Sequence, residues 1–140
     1  MSANQPLCIG LIGAGSMARA HVYALRAIED VEVTAICDPD EDRVRQVASD
    51  LRIPFAAAHH DEVIARDDVD AVVVSSPDFA HAEQSVAALH AGKHVLCEKP
   101  MVPSLDECRA VVEAADASDA RFMIGQVCRF SPGFIMGKKL

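Results

Sequence analysis

The chain is 140 residues long, the size of one ordinary domain, and its 51% hydrophobic and 24% charged residues describe a folded globular protein rather than a disordered one. At this size roughly 70% of the unfolded surface is buried on folding, so no metal or disulfide staple is required. The formal net charge is −8 and no basic run occurs before Lys138-Lys139, which argues against nucleic acid and anionic membrane as partners.

In chain order, β-branched runs alternate with amphipathic windows, the pattern of βαβ units and a parallel sheet. Leu7 to Gly13 reads as a fully buried strand, followed by a helix from about Ser16 to Ile28. Val31 to Asp38 is a second strand. Pro39 suits the first turn of the next helix, with Asp40, Glu41 and Asp42 placed to suit its dipole and Val44, Val47, Ala48 and Leu51 on its inner face. Ile53 to Ala57 is a weak third strand, and Asp61 to Ala65 a short helix. Asp70 to Ser76 is the strongest strand pattern in the chain. The helix after it sets Phe79, Ala82, Val86 and Leu89 inward and stops at Gly92. His94 to Glu98 is a fifth strand. Ser104-Leu105-Asp106-Glu107 has capping-box form and opens a helix with Leu105, Cys108, Val112 and Ala115 inward. Arg121 to Gln126 is a sixth strand. The expected fold is therefore α/β: a Rossmann-type, doubly wound, mainly parallel six-stranded sheet with helices on both faces.

The five cysteines are odd in number and form no C-x-x-C pair, so neither a disulfide framework nor a metal site is expected. Residues Met1 to Pro6 carry no basic n-region, and the apolar stretch after them is too short to span a bilayer. The expected setting is the reducing cytoplasm.

Gly13-Ala14-Gly15-Ser16-Met17-Ala18 has the form G-x-G-x-x-A, a weak motif alone but here placed between a buried strand and a helix. Gly13 permits the tight turn, Gly15 lets backbone approach the phosphates, and Ala18 allows close packing of helix on sheet. Ser16 and Met17 open the helix whose N–H groups and dipole face a pyrophosphate. Asp38, 20 residues beyond Ala18, ends the second strand where a carboxylate can accept hydrogen bonds from an adenosine ribose. The competing role for Asp38 is that of N-cap for the next helix. A carboxylate there repels a 2′-phosphate and no Arg is adjacent, so NAD is favoured over NADP; Arg43 and Arg45 keep NADP as a minority reading.

Ligands of open α/β sheets sit outside the carboxyl ends of the strands. Ser75, Ser76 and Pro77 fall there and suit either cofactor contact or a strand-end turn. His81 suits a cofactor contact or a capping and surface role equally well. Glu98-Lys99-Pro100 ends the fifth strand. A lysine so placed can orient a substrate hydroxyl or polarise a carbonyl, or it can be an ordinary solvated Lys. Whether Pro100 is cis is left open.

With those residues in hand, the chain resembles the N-terminal half of the Gfo/Idh/MocA oxidoreductases, the glucose-fructose oxidoreductase and inositol dehydrogenase family. The likeness rests on Ile9-Gly10-Leu11-Ile12-Gly13-Ala14-Gly15, on Asp70 to Pro77 with His81, on Ala91-Gly92-Lys93-His94-Val95-Leu96-Cys97-Glu98-Lys99-Pro100, and on Arg129-Phe130-Ser131-Pro132. It implies NAD(P)-linked oxidation of a sugar or cyclic polyol hydroxyl, or reduction of the ketone. Lys99 matches the active-site lysine, and Glu98 its neighbour near the nicotinamide. Residues 1–128 form the nucleotide-binding domain, and residues 129–140 lead into a second α/β domain that supplies substrate contacts and usually the subunit interface of a homo-oligomer. The alternative is a catalytically incomplete NAD-binding module, a sensor or partner subunit, because that second domain does not follow within the 140 residues.

Overall fold

The structure, a computed structural model, describes residues 5–139; residues 1–4 of the expected nucleotide-binding domain and Leu140 of the lead-in lie outside it. Six strands, β1 (Leu7–Ile12), β2 (Val31–Cys37), β3 (Phe55–Ala57), β4 (Ala71–Val74), β5 (His94–Cys97) and β6 (Phe122–Ile124), form one sheet in the order β3-β2-β1-β4-β5-β6. Every neighbouring pair runs parallel. The connections are helices α1 (Ser16–Leu25), α2 (Glu41–Leu51), α3 (His60–Ile64), α4 (His81–His90) and α5 (Leu105–Asp116), with a further short helix, α6 (Pro132–Gly137), after the sheet. This is the doubly wound Rossmann order, whose switch point falls between β1 and β4.

Strand alternation divides the core into two layers. Ile9, Leu11, Val33, Ile36 and Val73 face α1 and α2, packing on Ala18, Val22, Val44, Val47 and Leu51. Ile12, Ala35, Val72, Val74 and Val95 face the other side, against Val63, Ala88, Leu89 and Ala114 of α3, α4 and α5. Gly10 sits where α3 crosses β1: a Cβ there would stand 2.5 Å from Val63 Cγ1. Its lack of a side chain lets that helix lie against the strand. Among the described residues no helix is long and apolar enough to cross a membrane.

Several boundaries shift for physical reasons. α1 ends at Leu25 rather than near Ile28, and Ile28 is exposed. Pro39 lies ahead of α2 instead of in its first turn, because the Asp40 side chain accepts the Arg43 N–H and takes the N-cap. Phe79 falls in a short 3-10 turn (Asp78–Ala80) before α4 and is 72% exposed, so the inward face of α4 is built from His81, Ala82, Ser85, Ala88 and Leu89. In α5 the inward stripe is also displaced. Val111 and Ala114 are buried, Cys108 and Ala115 flank them, and Leu105 and Val112 face outward. Ser104 does cap α5 by accepting the Glu107 N–H, but its hydroxyl donates to the Glu107 carboxylate instead of leaving that carboxylate to the Ser104 backbone. The segment after β6 contributes nothing to the core. Phe130, Phe134, Ile135 and Met136 all stand exposed there.

The displaced face of α5 has a direct energetic consequence. Val111→Ala is expected to cost about 2 kcal/mol, as removal of buried methyl groups does. Val112→Ala one residue on should stay within about 0.5 kcal/mol. Urea denaturation of both variants separates the two faces, and equal losses would show that the helix is turned as its apolar spacing first indicates.

Candidate functional site

β1 delivers its carboxyl end into the switch point, and the chain there turns on Gly13 at φ +100. A Cβ on Gly13 would lie 2.9 Å from the Ser76 nitrogen and 3.0 Å from the Ser75 carbonyl carbon, both backbone atoms that cannot swing away. The Gly13 N–H donates to the Cys37 carbonyl at 2.8 Å, and the Ala14 N–H donates to Asp38 Oδ2 at 2.9 Å. Gly15 is the N-cap of α1, in extended conformation, and no side chain caps the helix. A Cβ at Gly15 would meet nothing within 4 Å, so the first-turn N–H groups beyond it look into open space. Ser16 and Met17 border that space and are exposed, while Ala18 is fully buried under the helix. A helix N-terminus without a side-chain cap, approached by glycine backbone, is a seat for a phosphate anion.

Asp38 is 8% exposed and ends β2 on the opposite wall. Besides accepting from Ala14, its Oδ1 accepts the Asp40 N–H at 2.9 Å and the Arg43 Nη2 at 3.0 Å. Since Asp40 caps α2, Asp38 is free of the capping role that competed for it. Arg43 therefore belongs to the cleft, whereas Arg45 turns outward to Glu41 and Asp42. Between these walls lies a cleft of about 420 Å³ lined by Gly13, Gly15, Asp38, Arg43, His59, His60, Ser75, Ser76, Pro77 and Gln84.

Ser75 and Ser76 close the β4 side. The Ser75 hydroxyl donates to the Ile12 carbonyl at 3.3 Å and the Ser76 hydroxyl to Gln84 Oε1 at 2.5 Å. His81 does not line this cleft. It is 2% exposed, with Nδ1 2.9 Å from the Pro100 carbonyl oxygen and Nε2 2.9 Å from that of Ser76. Glu98 is likewise buried, its Oε1 2.9 Å from His21 Nε2 and its Oε2 accepting the Lys99 N–H. Lys99 itself is exposed at the end of β5, and the Lys99-Pro100 peptide bond is cis.

His21 and Gln84 were not anticipated. The signal for His21 was a polar ring on the inward stripe Ala18, Val22, Leu25 of α1. Gln84 follows Ser76 by 8 residues across a turn, a separation that reveals no contact until the turn is built.

The comparisons with known proteins agree with this geometry. The family model for oxidoreductases with an NAD-binding Rossmann fold, Gfo/Idh/MocA, matches residues 7–126. The chain belongs to this family. It is 35% identical over 124 residues to a 4-carboxy-2-hydroxymuconate-6-semialdehyde dehydrogenase of a Sphingobium species, covering 89% of this chain and 39% of that protein. It is 37% identical to an inositol 2-dehydrogenase/D-chiro-inositol 3-dehydrogenase of Shouchella clausii, covering 94% and 39%. Among solved structures, the WlbA dehydrogenase of Chromobacterium violaceum, in complex with NADH and UDP-GlcNAcA, superposes with a TM-score of 0.91 at 25% identity, covering 98% of this chain and 40% of that one. The chain thus spans about two fifths of the length of the relatives it matches.

As a Gfo/Idh/MocA nucleotide-binding fold, the chain also buries two thiols at strand ends, Cys37 of β2 beside the cleft and Cys97 of β5 in the core. Burial pushes the Cys37 thiol up to about 12 and Cys97 up to about 11, from an ordinary value of 9.0. The unfolded thiols ionise first as pH rises, so this contribution to stability is complete below pH 9.0 and is lost as pH climbs through the folded values. At pH 8 a disulfide reagent should label exposed Cys128 at once and leave Cys37 and Cys97 untouched until the chain is denatured. Rapid native labelling of either buried thiol would contradict the packing at the ends of β2 and β5.

Proposed function

We propose that this chain is the cofactor-binding part of an NAD-dependent oxidoreductase that moves a hydride to or from a carbon of a sugar or cyclic polyol. The observation that carries the reading is that the carboxyl ends of the parallel strands carry, on one side of the sheet, an uncapped α1 N-terminus after β1, a buried carboxylate after β2 and an exposed lysine after β5. The inositol dehydrogenase of Shouchella clausii supports the substrate class.

In this reading the N–H groups of the Gly15-Ser16-Met17 turn hold the pyrophosphate, and Gly13 keeps the loop against β4. Asp38 takes the adenosine ribose hydroxyls, with Arg43 yielding its bond to Oδ1, and its negative charge disfavours a 2′-phosphate. Ser75, Ser76 and Pro77 form the wall along which the cofactor extends. Glu98 fixes the residue after it, and the Lys99 amine reaches the substrate oxygen and holds a proton there during the change between hydroxyl and carbonyl. The bound nicotinamide supplies hydride chemistry; the protein supplies position and charge. We place the end of the nucleotide-binding domain at Cys128. The exposed apolar side chains of α6 are the start of the region that packs on further chain or on a second subunit in a homo-oligomer. The five free cysteines suit the cytoplasm.

Calorimetric titration is expected to show saturable NADH binding, with NADPH weaker. Because Gly15 has open space around its Cα, Gly15→Val should lower the melting temperature by only a few degrees, the cost of a poorer N-cap, while weakening NADH about tenfold or more by filling the phosphate seat. Absence of saturable binding by the unmodified chain at submillimolar NADH would sink the proposal.

In a full-length chain containing this domain, Lys99→Ala should lower kcat by a factor on the order of 10²–10⁴, with little change in NADH affinity. Steady-state kinetics with an inositol as substrate, beside the same titration, checks this. Parallel losses in both would make Lys99 a structural residue.

A further inference from the structure

Lys99 is an exposed residue carried on a turn whose neighbours on both sides are held from below. On one side, Glu98 is 7% exposed; its Oε1 lies 2.9 Å from Nε2 of His21, and its Oε2 accepts the Lys99 N–H at 3.1 Å. On the other side, Nδ1 of His81 lies 2.9 Å from the Pro100 carbonyl oxygen and 3.2 Å from that of Met101. The two histidines come from the elements that build the cleft. His21 stands on α1, whose N-terminus faces the glycine loop. His81 is the first residue of α4, and its Nε2 lies 2.9 Å from the carbonyl of Ser76 on the β4 wall.

We propose that His21 and His81 are positioning residues that brace the Lys99 turn from both sides and tie it to the two walls of the cofactor cleft. Carbonyl oxygens and carboxylates only accept, so each bond needs a ring N–H; a neutral His81 has one to give, to the Pro100 turn or to Ser76, and the doubly protonated ring serves both. Pro100 and Met101 lie outside any helix or strand, so no backbone ladder holds their carbonyls in register. A leucine would fill the buried His81 position or the half-buried His21 position with less desolvation cost, and it would hold nothing. The imidazole is short, planar and restricted to two torsions, so its nitrogens transmit position from helix to turn with little slack. An amine on four rotatable bonds gains a defined reach only if its own backbone is fixed, and both braces act on that backbone. The inference rests on the reading of Lys99 as the residue that meets substrate.

The test compares donor-retaining and donor-free variants of this chain, with solvent exchange of backbone amides read by NMR. His21→Gln keeps a nitrogen near the Nε2 position and His81→Asn one near Nδ1, while His21→Leu and His81→Leu keep bulk alone. Each leucine variant should speed exchange of the Lys99 N–H about tenfold relative to Val73 in the sheet, the loss of roughly one hydrogen bond. The glutamine and asparagine variants should restore slow exchange. If a leucine variant does not fold, His81→Gln carries the same expectation, since it keeps a nitrogen toward Ser76 and removes the one toward Pro100 and Met101. Unchanged Lys99 exchange, equal acceleration at Val73, or no recovery in the donor-retaining variants would each overturn the brace. No cofactor is needed for this measurement. A chain that loosens as expected yet fails to bind NADH would sink the proposed function and leave the brace standing.

Discussion

Between the end of β1 and the end of β4 the two backbones approach so closely that no side chain fits between them. Gly13 occupies that contact at positive φ, its N–H given to Cys37 on β2 and its Cα against Ser75 and Ser76 on β4. The contact sets which backbone donors remain for a ligand. The N–H groups of Gly13 and Ala14 are spent on the β2 end and on Asp38, which anchors the loop at its first two residues. Beyond Gly15 the first turn has no side-chain cap, and Gly15, Ser16 and Met17 are exposed. A loop held at its start and open at its end presents its dipole in one fixed direction, which is what anion binding without reorganisation requires.

The part of the sequence with the strongest family character does mostly structural labour. In Gly92-Lys93-His94, the Lys93 amine donates to the Arg66 carbonyl after α3, and His94 Nδ1 accepts the Arg121 N–H at the start of β6. Asp70, ahead of β4, accepts the Cys8 N–H of β1. These polar side chains stitch the amino ends of neighbouring strands, on the opposite edge of the sheet from the cleft. Fixing strand register at one edge aligns the strand ends at the other, and so Gly13, Asp38, Ser75 and Glu98 arrive at a common level. Within the stretch that carries the resemblance, Lys93 and His94 thus serve the sheet rather than the cleft.

The succession of strands and helices and the glycine loop were legible in the sequence because each is dictated locally: a run of β-branched residues, a helical period, a glycine between strand and helix. The inward face of α5 was not. Leu105, Cys108, Val112 and Ala115 satisfy helical spacing as well as Val111 and Ala114 do, and only the position of α4 and the sheet decides which stripe is covered. Asp38 was correctly placed at a strand end, but whether it caps α2 turned on Asp40, an equally good cap two residues on. His81 and Glu98 were picked out as site residues, but their hydrogen-bond partners, Pro100, Ser76 and His21, lie from 5 to 77 residues away in the chain. Contacts of that kind have no periodicity to read.

Under the proposed function, the two halves of the site differ in a way that bears on specificity. On the adenosine side, donors and acceptors are buried or half-buried and already paired, so a ligand that fails to replace those bonds leaves polar groups unsatisfied, and discrimination is strong. On the Lys99 side, the amine is exposed and water competes for every bond it makes. A solvated cation attracts any oxygen and rejects few molecules. Choice among hydroxylated substrates must therefore come from surfaces that cover Lys99 and desolvate it, since buried polar groups are what make a missing or misplaced hydroxyl costly. In that reading the turn beneath the lysine sets where chemistry occurs, and the enclosure above it sets on what.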